Sequence, residues 1–147
     1  MTTSTTTAIT TSTSPATTTS TSTSTSTSTA YRTADTLVHD LFHIIDNRTW
    51  NNLTHIFTDD AVYERPGYPP LLGLHQILHF YQHQRIIATG HHHIDHTTSN
   101  LNTAACWGHF HGTTHTGQPL HEPFADTYIT TNNKITHRKT FFWRPAI

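Results

Sequence analysis

Asp59-Asp60-Ala61-Val62-Tyr63-Glu64-Arg65-Pro66-Gly67-Tyr68-Pro69-Pro70-Leu71-Leu72-Gly73 is the stretch on which the reading of this chain turns. Residues 61–65 alternate as a short strand does. Residues 66–70 can continue neither strand nor helix, because proline fixes φ and lacks an N–H. Upstream, Leu37, Leu41, Ile44 and Ile45 recur at helical spacing, with Val38 and Phe42 widening the stripe, and this predicts a helix over 34–46. Asp46-Asn47-Arg48 breaks it. Thr49 then caps a second short helix with the apolar face Trp50, Leu53, Ile56 and Phe57. Downstream, Leu74, Ile77, Leu78, Tyr81 and Arg85 share one face of a third helix, which Gly90 is expected to end. Strands are predicted at 91–98, 104–112, 120–130 and 135–144. The Asn132-Asn133 pair between the last two suits a two-residue hairpin. The order α-α-β-α-β-β-β-β implies an α+β fold, a curved antiparallel sheet with three helices packed on its concave face.

Residues 1–30 are almost entirely Thr and Ser. Such a segment buries too little apolar surface to offset its ordering entropy, so residues 1–32 are read as a disordered tail and 33–147 as the single domain. The tail lacks the basic and apolar regions of a secretory signal, and no apolar run is long enough to span a bilayer; a cytoplasmic protein without membrane contact is expected. A net charge of −1, with 12% of residues charged, gives no field for a phosphate backbone, so no nucleic-acid partner is expected. The single cysteine, Cys106, excludes an intrachain disulfide and reads as a small buried hydrophobe. Thr, Ser, His, Asn and Pro are abundant, while Val occurs only at Val38 and Val62 and Glu only at Glu64 and Glu122. That pattern fits a coding strand poor in G, which would scatter many of the 15 histidines over exposed positions without a ligand role.

Several segments, in this order and spacing, resemble the SnoaL-like branch of the NTF2-like superfamily, whose fold is an α+β cone. They are Trp50-Asn51-Asn52-Leu53, Phe57-Thr58-Asp59-Asp60-Ala61-Val62, Gly73, Phe80-Tyr81, Trp107-Gly108-His109-Phe110-His111-Gly112, and Lys134-Ile135 before the closing aromatic strand. The resemblance covers roughly 35–145. It implies a cavity between the concave sheet face and the helices. It also implies a small-molecule ligand, and relatives that include ketosteroid isomerases, polyketide cyclases, dehydratases, epoxide hydrolases and members without known catalysis. Fold alone does not choose among these. In the isomerases a Val-Glu-Asp-Pro segment on the first strand supplies the base. Here the matching segment is Tyr63-Glu64-Arg65-Pro66, and arginine is no base near neutral pH. Leu41 stands at about the place of the isomerases' enolate-stabilising tyrosine. Isomerase chemistry by that route is therefore not expected.

The remaining candidates are Tyr63 and Arg65 on one face of the strand, with Tyr68 at the mouth. Arg65 would either bind a carboxylate or enolate oxygen through its planar fork or tie strand to helix by a salt bridge, for instance to Asp126. Arg85 is read as a structural partner of Glu64. Asp126, in the apolar context Pro123-Phe124-Ala125-Asp126, is a candidate general acid or base; the alternative is a rim carboxylate held by Arg138 or Lys139. In an unbulged two-residue hairpin Asp126 would face Lys139, so only one of Asp126 and Arg138 could point inward, and a single bulge would reverse this. His92 is the member of His91-His92-His93 expected to point inward as an acid/base partner of Asp126. His-x-His pairs at 91–93 and 109–111 could in principle hold a metal, but neither a metal nor a cofactor is expected. The expectation is thus a cofactor-independent cyclase, isomerase or dehydratase acting on an oxygenated apolar substrate. Its catalytic residues would be Asp126 and His92, with Tyr63, Arg65, Tyr68 and Arg138 binding the ligand. The alternative is a noncatalytic ligand-binding or scaffold protein. Trp107, Phe124, Phe141 and Trp143 are assigned to the convex face, where so much aromatic area predicts a homodimer packed sheet to sheet.

Overall fold

The computed structural model describes residues 1, 3 and 32–145. Apart from residues 1, 3 and 32, the expected tail lies outside the described residues. Helix α1 spans Ala34–Asp46. Its N-cap is Thr33, whose hydroxyl accepts from the Thr36 N–H at 3.2 Å. The predicted stripe of Leu37, Val38, Leu41, Phe42, Ile44 and Ile45 is buried against the sheet. A 3-10 turn at Trp50–His55 replaces the second helix, and the Thr49 side chain does not cap it. Strand β1 runs Phe57–Glu64, and the Pro/Gly segment leads to the two-residue strand β2, Leu71–Leu72.

The third helix is shorter than the periodicity predicts. Helix α2 covers only Leu74–His79 and widens into a π turn at Phe80–Gln84. The Arg85 N–H donates to the Phe80 carbonyl at 2.9 Å, and Arg85 itself is already extended. Chain expected to be helical is therefore strand: β3 begins at Ile87 and runs to Ser99. Gly90 lies inside β3 and ends no helix. Its missing side chain makes room for an aromatic ring, since a Cβ at Gly90 or at Gly112 would overlap Phe110. Strands β4 (Thr103–Thr114), β5 (Pro119–Thr131) and β6 (Lys134–Phe141) complete the sheet.

The strand order is β2-β1-β6-β5-β4-β3. All pairings are antiparallel except β1 with β6, which is parallel, so the sheet is mixed rather than purely antiparallel. The Asn132-Asn133 hairpin forms as read, with both residues at positive φ (51° and 63°), as a tight two-residue turn requires. One bulge then shifts the register between Ile129 and Thr130. Asp126 consequently faces Thr140 and Tyr128 faces Arg138. The shift by one residue brings Asp126 and Arg138 to the same, concave face, where both are buried. Phe124 shares that face and is also buried, which corrects its assignment to the convex side; Ala125, opposite Phe141, is the convex residue.

Candidate functional site

The concave face, α1 and the π turn enclose a narrow cavity of about 30 Å³, room for a water molecule or two. Its apolar wall includes Ile45, Phe80, Ile87, Phe110, Phe124 and Phe142, and its polar wall Tyr63, Arg65, Tyr81, Arg85, His92, Arg138 and Thr140. Alternation along the strands places these side chains: Tyr63 and Arg65 come from β1 and its end, His92 from β3, and Arg138 and Thr140 from β6.

Arg138 and Asp126 form the centre of the wall, with 3% and 0% of their surfaces exposed. Arg138 donates from Nε at 2.8 Å and from Nη2 at 2.6 Å to Asp126 Oδ2. The Tyr128 hydroxyl donates to the same oxygen at 2.8 Å. Arg138 Nη1 donates to the Tyr81 hydroxyl at 2.7 Å, which aims one edge of the guanidinium along the cavity. Burial works against the charge of Arg138, but the Asp126 carboxylate and the surrounding tyrosines outweigh it and hold its pKa well above the ordinary value. Burial holds the Tyr63 and Tyr128 phenols above their usual range, with Asp126 adding to the effect, and pushes the Cys106 thiol up to about 12. All three therefore stay protonated at neutral pH. Asp126 itself does not line the cavity; it lies behind Arg138 as its counter-ion.

His92 does line the cavity, and its partner is Asp46 rather than Asp126. The ring Nδ1 lies 2.5 Å from Asp46 Oδ1, and the His92 backbone N–H donates to Asp46 Oδ2 at 2.9 Å. An ionised carboxylate only accepts, so the proton sits on Nδ1 and Nε2 carries the lone pair. Phe42, Phe110 and Phe124 pack round the ring with centroids at 4.6, 4.8 and 5.4 Å. Burial among them lowers the His92 pKa; Asp46 opposes that fall without reversing it. The imidazole is thus neutral at pH 7, a usable base with a fixed tautomer.

Arg65 and Arg85 make no ion pair among the described residues. Arg65 stacks on Phe80, its guanidinium carbon 3.9 Å from the ring centre, with Tyr68 at 5.1 Å and Tyr63 at 5.8 Å. Its Nε is buried with no acceptor among the described residues. Arg85 lies 5.6 Å from the centre of Tyr81 and 5.7 Å from that of Phe110, and burial lowers its pKa. The expected pairing of Arg85 with Glu64 does not form: Glu64 pairs with His137 at 2.7 Å and Lys139 at 3.0 Å. Nor does Arg65 bridge to Asp126, which Arg138 occupies.

Of the expected site residues, Tyr63, Arg65, His92 and Arg138 come together at the cavity, Tyr68 lies outside its lining as a half-exposed ring against Arg65, and Asp126 stands behind Arg138. Asp46 was readable in the sequence only as a helix breaker; an acidic last residue on α1 opposite a strand histidine is the signal that finds it. The outward histidines form cross-strand rows, His91 facing His111 facing His121, with His93 facing His109. Among the described residues no three His, Cys, Asp or Glu side chains converge to hold a metal ion, and no helix is long and apolar enough to cross a membrane.

Solved structures share the fold. An NTF2-like protein of unknown function from Burkholderia pseudomallei superposes with a TM-score of 0.67 at 14% identity, over 72% of this chain and 87% of that one. A protein with a ketosteroid isomerase-like fold from Catenulispora acidiphila, solved with trimethylamine, gives 0.65 at 17% identity, over 72% and 84%. An LEH-like epoxide hydrolase from Mycobacterium tuberculosis gives 0.64 at 12% identity, over 72% and 79%. No curated protein matches the chain. The model of the SnoaL-like domain matches residues 38–138, from the middle of α1 to the cavity's central arginine. On that match, and on the curved six-stranded sheet with its helices, the chain belongs to the SnoaL-like domain family within the NTF2-like fold.

Proposed function

We propose that this protein is a small-molecule enzyme of the cyclase, isomerase or dehydratase kind, moving a proton next to a carbonyl of an oxygenated substrate without a cofactor. The carrying observation is the Asp46–His92 pair in the wall of a cavity that also presents Arg138. His92 Nε2 takes the proton, and Asp46 fixes the ring and balances the imidazolium that forms. A positioned base of this kind contributes about 10²–10⁴-fold to a rate. Arg138 and the Tyr63 hydroxyl stabilise the developing oxyanion. Asp126 acts through Arg138, as a positioning residue rather than as the base. Only the reacting end of a substrate fits the cavity as it stands; its body seats at the mouth by displacing the Phe142 side chain.

The test is deuterium exchange at the carbon next to the carbonyl, followed by NMR over a panel of cyclic ketones, β-diketones and keto acids. Exchange on at least one compound, lost in His92→Asn, is expected. The cavity's narrowness and its filling by Phe110 and Phe142 favour a second reading, a noncatalytic ligand-binding protein. That reading gains if panel members raise the unfolding temperature and none exchanges. Trp107 and Phe141, each 45% exposed on the convex face, support the further reading of a homodimer joined through that face. Sedimentation would then show a dimer for the native chain and a monomer for Trp107→Ser; a native monomer refutes it.

A further inference from the structure

Resting on the reading that this cavity is the ligand site, we infer that its ligand carries a permanent single negative charge, a monocarboxylate held by Arg65 and Arg85. The charge balance of the wall favours it. Three guanidinium groups, Arg65, Arg85 and Arg138, face two carboxylates, Asp46 and Asp126. Asp126 is taken up by Arg138 through two hydrogen bonds, and Asp46 by His92 and His91. His92 is neutral, so one positive charge is left in excess, and it belongs to Arg65 and Arg85.

Their surroundings specify the shape of the counter-ion. Aromatic rings cover both groups, Phe80 and Tyr68 beside Arg65 and Tyr81 and Phe110 beside Arg85. Stacking occupies the faces of a guanidinium and leaves its in-plane N–H edges. Arg65 Nε is such a donor, buried with no acceptor among the described residues, and an unpaired buried donor is costly. A carboxylate supplies two coplanar acceptors that match the guanidinium fork. A neutral carbonyl leaves the excess charge in place, and a dianion brings a second charge with no partner in a poorly solvated site. The volume of about 30 Å³ admits the head of such a ligand while its apolar body remains among the rings at the mouth.

The experiment titrates the full chain calorimetrically with benzoate, benzamide and phthalate in a low-salt buffer free of other carboxylates. Benzoate should bind at least ~10-fold more tightly than either of the others, as expected for charge-assisted hydrogen bonds. Arg65→Gln and Arg85→Gln should each weaken benzoate by about 10-fold, while Arg32→Gln, which alters an ion pair with Asp40 away from the cavity, should change nothing. Equal binding of benzamide, no binding of benzoate, or unaltered affinity in both cavity variants overturns the inference; the first two comparisons need only the native protein. Ketone exchange without benzoate selectivity would sink the carboxylate inference and leave the enzyme reading standing. Selective benzoate binding with no exchange on any compound would do the reverse.

Discussion

Replacing Asp126 by alanine strips a buried guanidinium of its carboxylate. Asp126 and Arg138 are 0% and 3% exposed, so water cannot take over as partner. The substitution removes two charge-assisted hydrogen bonds, at 2.8 and 2.6 Å, and leaves the Tyr128 hydroxyl, which donates at 2.8 Å to the same oxygen, with only the Cys106 Sγ at 3.7 Å. Removing one member of a buried ion pair costs about 3–5 kcal/mol, and a buried hydroxyl left with only a thiol beside it adds about 1 kcal/mol. A loss of about 4–6 kcal/mol follows, against a total of roughly 5–15 kcal/mol for a domain of this kind. Urea unfolding followed by far-UV circular dichroism measures it. Asp126→Ala should be close to unfolded without denaturant. The double variant Asp126→Leu/Arg138→Met, which removes both charges at similar volume, should regain most of the loss, because an apolar pair of the same shape is often no less stable. Asp126→Asn should fall between them: its oxygen can still accept from Arg138, but its NH₂ replaces Oδ1, which has no partner among the described residues. A cost below about 1.5 kcal/mol for Asp126→Ala, within the range of ordinary neutral hydrogen bonds, or a double variant no more stable than the single one, refutes the description of this pair.

Other outcomes follow from the same wall. His92→Asn should lower any exchange rate by about 10²–10⁴-fold, and Asp46→Asn should lower it as well by freeing the tautomer; a variant of either residue with the native rate removes the pair from the mechanism. Because burial lowers the His92 pKa, the rate of the native protein should fall on the acid side with a midpoint below 6.5, the ordinary histidine value; a midpoint above it contradicts the burial. The same shift acts on folding. The unfolded chain takes up the His92 proton near the ordinary value and the folded chain only at lower pH, so the contribution is full above 6.5 and is lost as pH falls through the folded pKa. Urea midpoints of the native protein and His92→Asn across that window should converge toward acid pH. Gly90→Ala pushes a methyl into Phe110 and should cost about 1–3 kcal/mol; an unchanged urea midpoint means that the ring does not lie over β3.

How much of this could be read beforehand depended on whether a residue's role was local. The stripe of α1 and the Asn132-Asn133 turn are set by neighbours a few positions away, and both appear as expected. The end of the third helix was misread because Leu74 to Arg85 keeps helical spacing while the backbone widens at Phe80, and because Gly90, which looks like a helix stop, is instead a clearance for a ring 20 positions away. The orientation of Asp126 hung on one extra residue in β6, which no periodicity reveals. His92 could be picked out by its spacing from Gly90, but Asp46 lies 46 positions before it in the chain and meets it only through packing. Arg85 likewise looked like a partner for Glu64 until the register put Glu64 beside His137 and Lys139.

The parallel pairing of β1 with β6 sets a timetable for this molecule. Tyr63 and Arg65 are synthesised early, yet the strand they must lie beside is the last to emerge, and the hairpins between can form meanwhile on their own. Contacts between strands so far apart in the chain are slow to close, and a ribosome-bound chain cut short before residue 134 would lack the strand that joins β2-β1 to β5-β4-β3, and with it the Arg138 of the cavity wall.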